Sequence, residues 1–305
     1  MKTLVLGAGG VGGYFGARLA QAGSDVTFLV RPRRAANLIE HGVRVQSPHG
    51  DFTIQPQLRQ AGESLEGFDL VILTCKAYDL DSAMDSIAPA MDRGCAVLPL
   101  LNGIAHLERL DARFGRDNVL GGTCHIAATL TADGVVKQLH DVHRIMYGER
   151  DRRITPRIEA LDAAFRKTPV EAKLSPDIEL EMWEKVAFLS TLAGMTCLMR
   201  GSVGAIAATP DGAALLTRYL AACCAVAEAN GHKPRDAFVE RMSKTLTDPS
   251  STLTASMLRD LQGGGPVEAD HIVGFMLGKA RAAGIEDTLL AMAYTHLKVY
   301  EAQRS

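Results

Sequence analysis

The stretch LVLGAGGVGGYFG, residues 4–16, decides the fold. An apolar run ends at Gly7, and Gly7-x-Gly9-x-x-Gly12 opens a segment of helical periodicity, Val11–Ala22, closed by Gly23. A second apolar run, DVTFLV (25–30), follows, so strand, glycine turn, helix and strand fall within about 30 residues. In that setting Gly7 permits the tight turn, Gly9 lets the backbone approach a pyrophosphate, and Gly12 lets the helix lie close on the strand. Gly10 and Val11 complete a loop whose unpaired N–H groups at the helix start attract an anion. A dinucleotide site on Gly7, Gly9, Gly10, Val11 and Gly12 is therefore predicted.

The end of the second strand selects between dinucleotides. An NAD site usually carries an acid there, holding the ribose 2′-hydroxyl. This sequence has Arg31, in FLVRPRR, with no acid nearby along the chain. A guanidinium suits a 2′-phosphate through its charged fork, so NADP(H) is expected as cofactor. Arg33 or Arg34 could share the task, and a solvated surface arginine would look the same in sequence.

Further apolar runs, TLVLG (3–7), DLVILTC (69–75), AVLPLL (96–101) and VLGGTC (119–124), alternate with helical patterns at about 79–91 and 104–113. Continuously apolar strands alternating with helices predict a parallel sheet covered on both faces. Residues 41–57 read as a small β-hairpin around Pro48–Gly50, and 135–140 with 143–148 as an antiparallel pair at the sheet edge. Beyond about residue 170 helical periodicity takes over, with Ser175 and Pro176 as a helix-start signal and a helix from Gly212 to Ala229. The expected fold is α/β: an N-terminal Rossmann-type doubly wound sheet, residues 1–170, and an all-helical C-terminal domain, residues 171–305.

With 47% hydrophobic residues, 22% charged residues and a formal net charge of −2, the 305-residue chain has the composition of a globular protein. Near-neutral charge gives no footprint for nucleic acid or an anionic membrane. The uncharged run 186–199 is shorter than the roughly 20 residues of a bilayer span, and the first strand starts too near Met1 to leave room for a signal peptide. The six cysteines form no C-x-x-C pair and suit reduced thiols, so a cytoplasmic protein is expected.

One lysine stands out. In EMWEKVAFLSTLAG (181–194), Lys185 heads an apolar run instead of lying on a charged face. Either a neighbour anchors it, Glu181 being at ordinary helix ion-pair spacing, or it serves chemistry.

With the glycine loop, the motifs CKAYD (75–79), LLNGIAH (100–106), GGTCHIA (121–127), MWEKVAF (182–188), SMLRDL (256–261) and VEADHIVGF (267–275) align in order. Together they make the chain resemble the ketopantoate reductase (2-dehydropantoate 2-reductase) family: NADPH-dependent reductases with a Rossmann domain and a helical C-terminal domain. The resemblance implies that Lys185 is the general acid and Lys76 a second catalytic lysine near cofactor and substrate. It places Asn102 beside the nicotinamide and the reacting carbonyl, Ser256 on the substrate, and Glu268 on substrate or cofactor. An ammonium at Lys185 would donate to the carbonyl oxygen and stabilise the developing alkoxide. Each of these residues also has a plain structural reading: a solvated lysine at 76, a turn asparagine before Gly103, an exposed serine, and a first-turn acid on a helix dipole.

The sequence also departs from the pattern. Asparagines one and two turns beyond the catalytic lysine are replaced by Leu189 and Ala193, and two others by Leu253 and Val273. Ser190 and Thr191 are adjacent but point roughly 100° or more away from the expected face of the helix and substitute poorly. An apolar pocket does not select a substrate hydroxyl as an amide does, so a more apolar 2-oxo acid or another carbonyl compound rivals ketopantoate. A non-catalytic NADP(H) sensor is the alternative from another class, although it has no need of a proton donor. His140-x-x-His143 lacks further metal ligands, His125 is either a cleft or a core histidine, and Cys223–Cys224 reads as packing. A homodimer through the helical domain is expected from its apolar content and the family likeness.

Overall fold

At Gly7, with φ at +91°, the chain turns from β1 (Lys2–Leu6) into α1 (Gly10–Gln21). The computed structural model describes residues 1–92 and 94–304. After α1 come β2 (Asp25–Leu29), α2 (Pro32–His41), β3 (Val43–Gln46), β4 (Phe52–Ile54), β5 (Gln57–Arg59), β6 (Leu70–Leu73), α3 (Leu80–Met91) and β7 (Ala96–Pro99). The first of two units is completed by α4 (His106–Phe114), β8 (Gly121–Leu130), β9 (Val136–Gly148), α5 (Pro156–Phe165) and β10 (Glu171–Leu174).

Among the described residues two sheets form. The first is wholly parallel, in the order β5-β2-β1-β6-β7, with β1, β6 and β7 buried along most of their length. This is the doubly wound α/β arrangement, with its crevice at the strands' carboxyl ends. The second sheet runs β10-β9-β3-β4, with β8 antiparallel to β9.

Helix α1 packs on both sheets through glycines. A Cβ at Gly12 would lie 2.4 Å from the Gly7 carbonyl oxygen, and one at Gly16 would lie 2.7 Å from the Phe28 ring. About 110° round the helix, Gly10 and Gly13 meet the second sheet: a Cβ there would lie 2.5 Å from the Ala128 carbonyl oxygen and 2.7 Å from Val136. Phe15, Phe28, Tyr147 and Phe165 are fully buried in the core around this helix.

Three expectations change. Residues 119–124 do not join the parallel sheet: Val119 makes one isolated parallel bridge to Val97, and β8 then pairs antiparallel with β9. Residues 135–140 and 143–148 are not a hairpin but two stretches of one strand, both paired with β8. HDVH lacks the Asn-Gly or Asp-Gly pair that a tight two-residue hairpin turn prefers. Instead the register slips between Ile126/His143 and Ala128/Gln138, and Leu139 and Val142 bulge outward, exposed. Finally, the expected boundary after residue 170 falls before β10, which pairs with β9, and the division comes after Ile178.

The second unit comprises Asn102–Ala105 and the chain from Glu179 onward. It contains α6 (Ile178–Met199), α7 (Val203–Ala207), α8 (Gly212–Ala229), α9 (Asp236–Thr247), α10 (Ser256–Gln262), a π-helical turn at Asp270–Gly274, α11 (Phe275–Ala282) and α12 (Thr288–Arg304). Helix α8 is long and apolar enough, by length and composition, to cross a membrane. Its buried residues, Leu216, Tyr219, Leu220, Cys223, Val226 and Ala227, recur at the spacing of one core-facing helical stripe.

In the first unit the hairpin of β3 and β4 closes over a buried histidine. His143 of β9 is 6% exposed, is hydrogen-bonded through Nδ1 to Tyr14 Oη at 2.6 Å, and stacks on His49 at 3.6 Å. Arg18 reaches the same turn, donating to Ser47 Oγ and to the His49 and Gly50 carbonyls. Burial first, then His49 and Arg18, push the His143 pKa down to about 4 against the weaker pull of Glu171 and Asp141. His143 is thus a neutral core residue. The unfolded chain binds this proton near pH 6.5 and the fold does not, so stability falls as pH drops from about 6.5 towards 4. Urea midpoints compared at pH 7 and pH 5 should show this loss, and His143→Gln should flatten the slope in that window.

Candidate active site

The carboxyl ends of β1, β2 and β6 surround a cleft of about 490 Å³ in the first unit. Gly7, Ala8 and Gly9 line it from the loop, Arg31 and Arg34 from the end of β2, and Thr74, Lys76 and Asp79 from the turn after β6. The loop is tied on both sides: Gly7 N–H donates to the Leu29 carbonyl at 3.0 Å, and Thr74 Oγ1 donates to the Leu6 carbonyl at 2.8 Å. A Cβ at Gly9 would meet nothing within 4 Å, whereas one at Gly12 would strike Gly7 and Thr74. The loop is therefore open where a ligand approaches and closed where the helix packs. Gly9 occupies the N-cap position of α1 and has no side chain to satisfy the first helical amides, which suits an anion.

The three arginines after β2 have different fates. Arg34 is anchored, donating to the Ala8 carbonyl at 3.0 Å, Asn37 Oδ1 at 2.6 Å and the Gly134 carbonyl at 3.0 Å. It braces the loop instead of facing outward. Arg33 is exposed on α2, and Arg31 stands at that helix's N-cap with its side chain 82% exposed, 3.8 Å from the Asp79 carboxylate. Asp79 is the acid that the local sequence around Arg31 does not show, because it arrives on a different strand-to-helix turn. Lys76 occupies the N-cap position of the short 3₁₀ turn Ala77–Asp79 just after β6, without a side-chain capping bond.

The second unit holds Asn102, Lys185, Ser256 and Glu268. Lys185 is half-buried in the second turn of α6, a turn fixed from several sides. Trp183 stacks at 5.7 Å on His232 and lies 6.0 Å from the Phe275 ring. Arg235 donates through its Nε and backbone N–H to Glu184 Oε1 at 2.9 and 2.8 Å, and through Nη2 to Glu181 Oε2 at 2.7 Å. These two carboxylates raise the Arg235 pKa, Glu184 most. Farther along α6, Thr196 Oγ1 accepts from Ala255 N–H at 3.5 Å, beside Ser256 at the start of α10. Glu268 is 7% exposed and leads into the π-helical turn, a local widening that often marks function. Gly103, at φ +80°, packs against the same turn: a Cβ there would lie 2.8 Å from the His271 carbonyl oxygen. The structure thus brings the Asn102 segment against the element that follows Glu268.

The positions departing from the family pattern also divide. Ala193 and Val273 have no accessible surface, Leu189 is partly exposed, and Leu253 is 36% exposed. Ser190 and Thr191 are fully buried, and Thr191 Oγ1 donates back to the Ala187 carbonyl at 2.9 Å.

A glycine-loop α/β unit joined to a helical unit defines a dehydrogenase-like class, and comparison with known proteins narrows it. The model of ketopantoate reductase PanE/ApbA matches residues 3–152, and that of its C-terminal part matches residues 177–301. An uncharacterized oxidoreductase of Bacillus subtilis, YkpB, is 38% identical over 304 residues, with all of both chains covered. A 2-dehydropantoate 2-reductase of Nostoc is 26% identical, covering 99% of this chain and 96% of its own. The crystal structure of 2-dehydropantoate 2-reductase from Geobacter metallireducens superposes with TM-score 0.88 at 30% identity, covering 98% of this chain and 99% of that one. The chain belongs to the ketopantoate reductase PanE/ApbA family, whose members are oxidoreductases acting on CH–OH/C=O groups.

Removing the guanidinium at Arg235 takes the paired charge from the buried Glu184 carboxylate, whose side chain is 4% exposed, and leaves the backbone N–H of residue 235 as its partner there. Arg235→Ala should lower unfolding free energy by about 2–3 kcal/mol, less than for a fully buried pair because the arginine is half exposed. Urea denaturation checks this, and Glu184→Gln in the same background should recover part of the loss.

Proposed function

We propose that this chain is an NADPH-dependent reductase of a 2-oxo acid, with 2-dehydropantoate (ketopantoate) as the reference substrate. The observation that carries this reading is the joint presence of Lys185, Asn102, Ser256 and Glu268 in one unit and of a glycine-loop cleft with Arg31 and Lys76 in the other. The cleft fits a dinucleotide: the loop is open at Gly9, the first amides of α1 have no side-chain cap and suit an anion, and Arg31 is placed for a 2′-phosphate. The reduced nicotinamide supplies the hydride. Lys185 donates a hydrogen bond to the carbonyl oxygen and then its proton as negative charge develops there. Asn102 orients the carbonyl, Lys76 adds positive charge for the carboxylate or the pyrophosphate, and Ser256 and Glu268 position the acid's polar groups. The six cysteines are free, which agrees with work in a reducing cytoplasm.

A second reading concerns the substrate side chain. Leu189 presents apolar surface where the family pattern has an amide, which favours a 2-oxo acid with an apolar side chain over one with a hydroxyl. NADPH oxidation measured with ketopantoate beside a panel of branched and aromatic 2-oxo acids separates the two readings. Lys185→Ala should lower kcat on the order of 10²–10⁴-fold with whichever acid turns over, leaving cofactor binding in place. Unchanged turnover in that variant would refute the assigned acid, and a wild type that binds NADPH but reduces no carbonyl compound would make the chain a sensor.

A further inference from the structure

The Arg31–Asp79 pair sits at the rim of the cleft, where a dinucleotide's adenosine ribose is expected, and the two residues arrive from different strands. At the end of β2 an arginine serves a 2′-phosphate and an acid serves a 2′-hydroxyl. This cleft holds one of each, 3.8 Å apart, both reachable from solvent at 82% and 43% side-chain exposure. Neither neighbouring arginine is a substitute: Arg34 is committed to Ala8, Asn37 and Gly134, and Arg33 does not line the cleft. The neighbouring acids of α3 are matched elsewhere, Asp81 to Arg109 and Asp85 to Arg113.

We propose that Asp79 is a specificity-determining residue that opens the cleft to both NADPH and NADH. This rests on the dinucleotide reading of the cleft and deepens it. The carboxylate accepts the 2′-hydroxyl of the unphosphorylated ribose. It also counter-charges Arg31, so that a 2′-phosphate must displace or share that partner. An anion held about 2.8 Å from Arg31 Nη2 lies no more than about 6.6 Å from the Asp79 oxygen, given the 3.8 Å separation. Even in water, repulsion at that range weakens binding by roughly threefold per unit charge, and more for a phosphate near two charges.

The test is binding without substrate: dissociation constants for NADPH and NADH from dinucleotide fluorescence, with 2′,5′-ADP as competitor, for wild type, Asp79→Asn and Arg31→Ala. In wild type the two constants should lie within about tenfold of each other. Asp79→Asn should tighten NADPH and 2′,5′-ADP about five- to tenfold and weaken NADH two- to threefold, an effect that shrinks with added salt. Arg31→Ala should remove the remaining preference for NADPH. Wild type excluding NADH by more than a hundredfold, or an Asp79→Asn variant whose ratio does not move, overturns the inference while the dinucleotide cleft stands. Failure of both dinucleotides to bind wild type overturns the cleft and the inference together. Binding of both without any turnover refutes the reductase reading and still supports the pair.

Discussion

The close approach of α1 to two sheets at once is the constraint on which the first unit depends. A helix carrying ordinary side chains on two faces would stand off each sheet by the width of those side chains. Here Gly12 and Gly16 let it lie on the parallel sheet, and Gly10 and Gly13 let it lie on the second sheet. Backbone atoms, the Gly7 and Ala128 carbonyls, stand at two of those contacts and cannot rotate away as a side chain can. The helix's first amides are thereby held at the carboxyl ends of β1, β2 and β6, where a parallel sheet leaves its crevice. Arg34 completes the bracing, joining the Ala8 carbonyl of the loop to Gly134, just before β9 of the second sheet. The cleft's shape therefore depends on both sheets, although the glycine fingerprint concerns only one.

Charge is distributed by the same logic. Arg31, Arg33 and Arg34 are near neighbours in sequence, yet the start of α2 sends them in different directions. Arg31 precedes the fixed φ of Pro32 and remains in extended backbone outside the helix, whereas Arg34, inside its first turn, points back to the loop. A charged side chain half removed from water needs several acceptors, and Arg34 finds three. Arg31, left in solvent, keeps a loose partner that a ligand can replace. In the helical unit the balance is reversed: two nearly buried carboxylates, Glu181 and Glu184, are held by the more exposed Arg235.

What was legible in the sequence was local. Strand, glycine turn and helix are encoded within residues 4–16, and the hairpin of β3 and β4 is announced by Pro48–Gly50. The direction of the chain through 139–142 was not legible, because a bulge and a reversal interrupt apolar alternation alike, and only pairing with β8 distinguishes them. Partnerships across the fold were equally hidden. Asp79 reaches Arg31 from 48 positions along the chain, and Arg235 reaches Glu184 from 51. The lysine that drew attention at the head of an apolar run lies in a turn anchored by such distant partners, whereas the sequence offers only its helix neighbours.

The apolar replacements in the family pattern carry unequal weight once burial is known. Ala193 and Val273 have no accessible surface, so an amide at either place would be buried and would need partners from the packed helices around it. A small or branched apolar residue is what a sealed helix contact favours, and it need not report on a ligand. Tyr219 shows how tight that packing is one residue on, with its hydroxyl oxygen 2.3 Å from where a Cβ on Gly194 would stand. Leu189 differs because it retains exposed surface one turn beyond Lys185, on the same face of α6. A leucine there adds apolar surface on the face that carries Lys185, but it cannot satisfy a hydroxyl. Leu253, 36% exposed, also retains surface, so the substrate question concentrates on these two side chains and not on Ala193 or Val273.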